Sequence, residues 1–179
     1  MSEDQTRFEA MFGEHFDTVL RFVAARAEAE VAKDVTAETF LAAWRAFDRV
    51  PPQPRAWLLA VARRKLVDHY RGAGRRDVLA NRLGAGAVTA AADHADGVAE
   101  RDRVRAAFAA LRPADQELLR LLAWDGLTRA EAAQVLGCNP ASFAVRLHRA
   151  RRRLRAALDD PDVPPTGAAT ALLDTLEAQ

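Results

Sequence analysis

The sequence predicts an all-α protein of two small helical domains joined by a flexible linker, with a helix-turn-helix in the C-terminal domain. Its 179 residues suffice for one medium or two small domains. Apolar residues recur at three- and four-residue steps through most of the chain, which is the period of an amphipathic helix. Sustained alternation of β-branched and polar residues, the pattern of strands, is missing. Residues 72–99 lack the helical period and hold five glycines, which predicts the linker.

The N-terminal domain, residues 1–71, is predicted to contain three helices. The first covers about residues 5–26, where phenylalanine and valine recur at helical spacing, and the second covers about 30–47. Prolines in the loop 48–54 end the second helix, because proline cannot continue a helix interior. A third helix is expected over about 55–71.

The C-terminal domain, residues 100–158, begins with two predicted helices. One runs from about residue 100 until the chain reaches Pro113, and the other covers 114–124. Beyond the domain, residues 159–179 form an acidic tail with five acidic residues and three prolines. This composition favours disorder, and a regulatory segment is the alternative.

A helix-turn-helix is predicted in the second half of this domain. Thr128 and Glu131 fit a capping box, in which the hydroxyl caps the first helical turn and the carboxylate reaches back. The short helix that starts there ends at Gly137. Asn139 and Pro140 then supply a cap and a first-turn proline for a long helix to residue 158. A short capped helix, a glycine-containing turn and a long basic helix are typical of motifs that bind the major groove.

The charge is unevenly distributed along the chain. The net charge of +1, taken alone, argues against a nucleic-acid-binding protein. Residues 51–76, however, carry seven basic residues and one acid, and residues 142–158 carry six arginines and no acid. Residues 1–50 carry ten acids and six basic residues. DNA binding is expected in the two basic blocks, residues 51–76 and 142–158.

Several classes of protein are excluded by composition. Cys138 is the single cysteine, so a disulfide framework and a cysteine-based zinc site are excluded, and a reducing compartment, the cytoplasm, is expected. The acidic start does not predict a secretory signal, and no apolar run predicts a membrane span. The histidines form no ligand pair, and no nucleophile and base converge. We therefore expect no enzyme, metal or cofactor.

The last helix carries two neighbouring stripes at the same helical spacing. The apolar stripe, which is expected to face a core, consists of Phe143, Leu147, Ala150 and Leu154. The polar stripe consists of Ser142, Arg146, Arg149 and Arg153. One stripe would anchor the helix while the other contacts DNA. The alternative is a solvated basic face on an ordinary helical hairpin, which the capping box and the turn make the weaker interpretation.

The basic block at 51–76 interleaves cationic residues with Trp57 and Tyr70. Such a pattern suits a nucleic-acid strand whose bases stack or are splayed from the duplex. Core packing is the favoured interpretation of Trp57.

Asp34 and Glu38 lie four residues apart on one face of the second helix. A carboxylate pair is used in acid–base catalysis and in metal sites. No third ligand, nucleophile or glycine-rich loop accompanies this pair, so a partner-binding face is more plausible than a catalytic dyad. A merely solvated face is nearly as plausible.

Three motifs, in order, resemble bacterial sigma factors of the small two-domain extracytoplasmic-function group. Residues 34–44 (DVTAETFLAAW) resemble the helix of that family that binds core polymerase. Residues 55–63 (RAWLLAVAR), followed by 68–71 (DHYR), resemble its promoter-melting helix. Residues 136–138 (LGC) and 145–154 (VRLHRARRRL) resemble its C-terminal helix-turn-helix.

The resemblance implies a role for each motif. The first would dock on the clamp helices of the largest polymerase subunit through Asp34, Glu38, Thr39 and Leu41. The loop 48–54 and the third helix would take the −10 element and a flipped base, through Arg55, Trp57, Arg63, Arg64, Lys65 and Arg71. The last helix would contact the −35 element through Asn139, Ser142, Arg146, Arg149 and Arg153.

The implied function is that of a sigma factor that directs bacterial RNA polymerase to promoters and performs no covalent chemistry. Expected partners are core polymerase, promoter DNA and plausibly an anti-sigma factor. Ala37 and Ala144 depart from the family, where a glutamine and a lysine are common, so one polymerase contact and one DNA contact are absent. The alternative is a stand-alone helix-turn-helix regulator, against which the first two motifs argue.

Overall fold

The computed structural model describes residues 3–72 and 96–158, with side chains for 3–71 and 103–158. Within these ranges the regular elements are all helices, which confirms the predicted all-α class. The α-helices are α1 (Glu3–Ala24), α2 (Ala29–Arg45), α3 (Arg55–Gly72), α4 (Asp96–Ala109), α5 (Pro113–Ala123), α6 (Arg129–Leu136) and α7 (Pro140–Leu158). A 3-10 turn, Phe47–Arg49, follows α2.

The chain divides into two compact units. The first contains α1, α2 and α3, which pack against one another in every pairing. Aliphatic side chains from all three helices are removed from solvent here, so the hydrophobic effect holds the unit together. They include Val19, Val23, Val35, Leu58, Leu59 and Leu66.

Aromatic rings line the contact between α1 and α2. The ring of Phe8 lies 4.9 Å from that of Trp44 and 5.7 Å from that of Phe47, in edge-to-face geometry. Phe12 meets Phe40 in the same way, at 4.8 Å. Offset and edge-to-face pairs add about 0.5–1.5 kcal/mol each beyond the area they bury. These ring contacts therefore fix the orientation of α2 relative to α1, although Phe12 and Trp44 remain partly exposed.

The second unit contains α4, α5 and α7 with the first residues of α6. Both α4 and α5 pack on α7, so the long helix is the centre of the unit. The apolar stripe predicted for α7 is fully buried, which confirms the prediction that this side faces a core. The stripe consists of Phe143, Leu147, Ala150 and Leu154.

One helix begins earlier than its sequence pattern suggests. The prediction placed 72–99 in the linker, whereas α4 starts at Asp96 and α3 extends to Gly72. Gly97 weakens the helical signal, but one glycine costs a helix only about 1 kcal/mol relative to alanine. The rest of the predicted linker, 73–95, and the tail, 159–179, lie outside the described residues.

Candidate polymerase and nucleic-acid interfaces

The helix-turn-helix is defined by bonds at both ends of α6. At its start, the Thr128 backbone N–H and hydroxyl donate to a Glu131 carboxylate oxygen at 2.8 and 2.9 Å, and Glu131 N–H donates back to the hydroxyl at 3.3 Å. At its end, Gly137 has φ of 64°. The N–H of Cys138 bonds to the carbonyl of Ala133 at 3.0 Å, completing a left-handed helix terminus. The predicted capping box and turn are confirmed.

Asn139 caps the start of α7. Its side-chain oxygen accepts a hydrogen bond of 2.7 Å from the backbone N–H of Ser142. This bond satisfies one of the N–H groups that a helix start leaves without an intrahelical partner. Asn139 is also exposed. The predicted cap is therefore confirmed, and the exposed position of Asn139 is compatible with the predicted DNA contact.

The outward face of α7 is basic. Arg146 and Arg149 are exposed, and Ser142 is half-buried near the start of the same face. Val145 lies among them with half of its surface exposed. Because the apolar stripe anchors the other side of the helix, this face is free to enter a groove of DNA.

Arg153, the last residue of the predicted DNA-binding stripe, is held by an ion pair. Its guanidinium lies 2.9 Å from a carboxylate oxygen of Asp115 on α5, whose side chain is only 7% exposed. Arg112 binds the same carboxylate at 3.0 and 3.2 Å. The hydrogen bond and the negative charge of Asp115 raise the pKa of Arg112. Asp115 therefore neutralises part of the charge that Arg153 would offer to DNA.

Arg151 of α7 is half-buried, unlike the exposed Arg146 and Arg149. Its Nε and Nη2 atoms are buried without a hydrogen-bond partner in the structure. Burial lowers the pKa of this guanidinium, as do the positive charges of Arg129 and Arg155. Three arginines thus contribute positive potential beside the helix-turn-helix, and Arg129 is one that the predicted site residues omitted.

The outward face of α2 combines acidic and apolar groups. Asp34, Glu38 and Leu41 are all exposed, at spacings of four and three residues that place them on one side of the helix. Trp44 adds a partly exposed ring one turn later. Glu38 is also paired with Lys65 of α3, the two charged groups being 3.1 Å apart.

The start of α3 borders a cavity of about 440 Å³. Its walls come from α1, the loop after the 3-10 turn, and Arg55. A cavity of this size lies in the range of small-molecule sites. The polar groups that line it are Arg7, Glu14, His15, Gln53 and Arg55.

The remaining basic residues of α3 differ in exposure. Arg64 and Arg71 are exposed, whereas Arg63, Lys65 and Trp57 are half-buried. Tyr70, the second aromatic of this block, is buried and is not available for stacking. The half-buried position of Trp57 agrees with the favoured core interpretation.

Comparison with known families matches both units. The Sigma-70 region 2 model matches residues 11–76, and the Sigma-70 region 4 model matches 101–154. The ECF RNA polymerase sigma factor SigK of Mycobacterium ulcerans is 33% identical over 159 residues, which cover 84% of this chain and 85% of SigK. The chain belongs to the extracytoplasmic-function sigma factors. It is an RNA polymerase sigma factor, a protein of transcription initiation that binds core polymerase and promoter DNA.

Two solved structures are similar to this chain in fold. CnrH, solved in complex with the cytosolic domain of CnrY, is 27% identical with a TM-score of 0.57, over 88% of this chain and 90% of CnrH. The sigma factor RpoE of Bartonella quintana, solved with the anti-sigma factor NepR, is 21% identical with a TM-score of 0.59. That match covers 87% of this chain and 98% of RpoE, and it shows the shared fold.

One predicted polymerase contact of this sigma factor is corrected by its burial. Thr39 is fully buried, and its hydroxyl donates a 2.7 Å hydrogen bond to the backbone carbonyl of Val35. Helical spacing places Thr39 about 100° from Glu38, and that rotation turns it into the core of the first unit. Thr39 is a packing residue, and Trp44 is an exposed large apolar side chain of α2 that the predicted set omitted.

The described residues of the sigma factor offer neither a metal site nor a membrane span. No group of histidine, cysteine and acidic side chains is arranged to hold a metal ion in this part of the chain. None of the helices within 3–72 and 96–158 combines the length and the apolar character that a membrane span requires.

Proposed function

We propose that this sigma factor divides promoter recognition between its two units. The unit predicted over 1–71 docks on the clamp helices of the largest polymerase subunit and takes the −10 element. The unit predicted over 100–158 recognises the −35 element. The segment between α3 and α4 joins the two units. The observation that carries this proposal is that the exposed face of α2 is acidic and apolar, whereas α3 and α7 each expose arginines.

Polymerase docking is assigned to the outward face of α2. Asp34 and Glu38 offer charge and Leu41 offers an apolar surface, a combination found at specific protein interfaces. Charged groups at such a surface steer association and fix its register. The aromatic row beneath α2 supports this assignment because it holds the helix rigidly.

The −10 element is assigned to the loop 48–54, the cavity beside it and α3. Flipping a base out of the duplex costs a few kcal/mol, so a pocket and strand contacts must offset that cost. The cavity supplies room, and Arg55 on its wall supplies a cation. Arg64 and Arg71 extend the positive surface along α3 and suit the phosphates of an opened strand.

The −35 element is assigned to α7, with its first turns in the major groove. Arg146 and Arg149 are exposed on the face next to the core stripe. Arginine forms bidentate hydrogen bonds with guanine in the major groove, so these two residues are the candidates for base contacts.

The action of this sigma factor is proposed to be non-covalent and to take place in the cytoplasm, where the polymerase is. An anti-sigma factor is a proposed further partner. The support is that RpoE of Bartonella quintana was solved with the anti-sigma factor NepR, and CnrH with the cytosolic domain of CnrY.

The test is charge reversal on α2. Asp34→Arg with Glu38→Arg is expected to abolish co-elution with core polymerase in size-exclusion chromatography. Glu9→Arg with Asp17→Arg makes the same charge change at exposed positions of α1 and should co-elute as the wild type does. Equal co-elution of the two double variants would contradict the docking face. Failure of the wild-type protein to co-elute would contradict the proposed function itself.

A further inference from the structure

Val145 is an exposed apolar side chain on the DNA-facing side of α7. It is 51% exposed, and among the described side chains of the second unit no other large apolar residue is so open to solvent. Single exposed apolar residues are common on protein surfaces, so exposure alone carries no inference. The inference depends instead on where Val145 lies on α7.

Val145 lies beside the polar stripe that is proposed to enter the major groove, on the side away from the core. It follows Ser142 by three residues and precedes Arg149 by four, so the three share one face of the helix. Asn139 fixes the start of α7, which places Val145 in the second turn. The first turns of a recognition helix are the part that contacts base edges. Val145 is therefore placed where bases, and not only phosphates, are within reach.

The major groove presents a single kind of large apolar group. Each of the bases offers hydrogen-bond donors, acceptors or both there, and thymine adds a C5-methyl group. A valine side chain makes no hydrogen bond, so the contact it gains from a base edge is apolar. Valine in a helix also has one strongly preferred rotamer, so its methyl groups hold a fixed position and lose little freedom on binding.

We propose that Val145 is a specificity-determining residue that selects thymine at one position of the −35 element. The selection arises from contact between the methyl groups of Val145 and the C5-methyl of that thymine. This inference rests on the proposed function of α7 in −35 recognition. It adds a base preference and the residue responsible for it.

The experiment removes one methyl group at a time from the DNA. Holoenzyme, formed from core polymerase and the full chain, first selects its preferred −35 duplex from a pool randomised over that element. Each thymine of the selected duplex, on either strand, is then replaced by deoxyuridine. Binding should weaken about fourfold at one position, the effect of leaving one methyl group unburied. All other thymines should tolerate the change.

The protein side of the test uses Val145→Ala. This variant should bind the thymine and deoxyuridine duplexes equally, because the partner of the methyl group is gone. Ala156→Ser, at another exposed position of α7, is the matched control and should keep the thymine preference. Circular dichroism should be the same for all three proteins, since both positions are exposed.

Three outcomes overturn the proposal. They are a selected element without thymine on either strand, a wild-type protein indifferent to every deoxyuridine, and a Val145→Ala variant that keeps the preference. Failure of the underlying function is distinguishable from these. In that case base-pair substitutions throughout the −35 element and Arg146→Ala would also leave holoenzyme binding unchanged. If Val145 alone is misassigned, those changes still weaken binding.

Discussion

The ammonium of Lys65 lies 3.1 Å from a carboxylate oxygen of Glu38 and joins α3 to α2. Glu38 is assigned to polymerase docking and Lys65 to the −10 element, so one ion pair bridges two proposed interfaces. The side chains are 57% and 36% exposed, and pairs this open to solvent contribute about 0–1 kcal/mol. The pair can therefore be broken from either side while the fold is kept.

Breaking the pair from its two ends should have different consequences. Glu38→Gln is expected to weaken core binding while leaving the free energy of unfolding within about 1 kcal/mol of wild type. Lys65→Met breaks the same pair and should leave core binding unchanged, but reduce opening of the −10 element. The measurements are core affinity by fluorescence anisotropy and permanganate reactivity of promoter thymines. Equal loss of core binding in both variants would assign the effect to the ion pair and not to docking by Glu38.

Thr39→Val should leave core affinity within about twofold of wild type. Thr39 is fully buried, so its side chain cannot reach a polymerase surface. Leu41→Ala, at an exposed position two residues further along α2, should lower core affinity at least about fivefold if Leu41 is a central contact. Both are measured by titration of core polymerase with labelled protein. If a folded Thr39→Val variant loses as much core affinity as Leu41→Ala, Thr39 does contribute to polymerase docking.

Two substitutions of Asn139 distinguish its capping role from its proposed contact with DNA. Asn139→Ala should lower the stability of the second unit by about 1 kcal/mol, because the N–H of Ser142 loses its acceptor. Asn139→Asp keeps a capping oxygen and should retain the stability, yet it adds a negative charge and should weaken binding to −35 DNA. Urea unfolding and DNA affinity are measured on the same preparations. If Asn139→Asp binds DNA as wild type does, Asn139 lies away from the phosphates.

Arg153→Ala should affect stability more than DNA affinity. Its ion pair with the buried Asp115 makes a charge-assisted hydrogen bond, and such bonds contribute about 1.5–3 kcal/mol. Arg152→Ala removes an exposed arginine next to it and is the control for loss of charge on α7. Amide exchange of residues 113–123 and −35 affinity are the readouts. If Arg153→Ala lowers DNA affinity and leaves amide exchange unchanged, Arg153 contacts DNA and its ion pair contributes little to stability.

Arg146→Ala should weaken holoenzyme binding to the selected −35 element by about 1–3 kcal/mol if Arg146 contacts a base. It should also relax the base preference at one position. A phosphate contact would instead lower affinity equally for all sequences and reduce the salt dependence. Binding to a panel of single base-pair variants at two salt concentrations distinguishes these results. Unchanged affinity at both salt concentrations would remove Arg146 from the interface.

Local interactions explain why much of this molecule is predictable from its sequence. The capping box of Thr128 with Glu131 and the left-handed Gly137 depend on residues within five positions of each other. The buried stripe of α7 follows from helical spacing alone. The order of the helices is predictable for the same reason, because each helix is marked by its own apolar period and its own end signals.

Non-local contacts explain what the sequence did not show. Arg153 and Asp115 are 38 positions apart, so nothing in the spacing of α7 indicates that this arginine is paired. The burial of Thr39 depends on which side of α2 the other two helices cover. The cavity beside Arg55 needs α1 and a proline-rich loop to come together. Each of these features depends on packing between elements that sequence spacing does not specify.

Run-off transcription tests the central claim most directly. Purified core polymerase is incubated with a genomic promoter library, with the wild-type protein, with the Asp34→Arg and Glu38→Arg double variant, or alone. We predict transcripts that require the wild-type protein, start downstream of shared −10 and −35 sequences, and disappear with the double variant. The same transcripts from core polymerase alone, or none with the wild-type protein, would contradict the account.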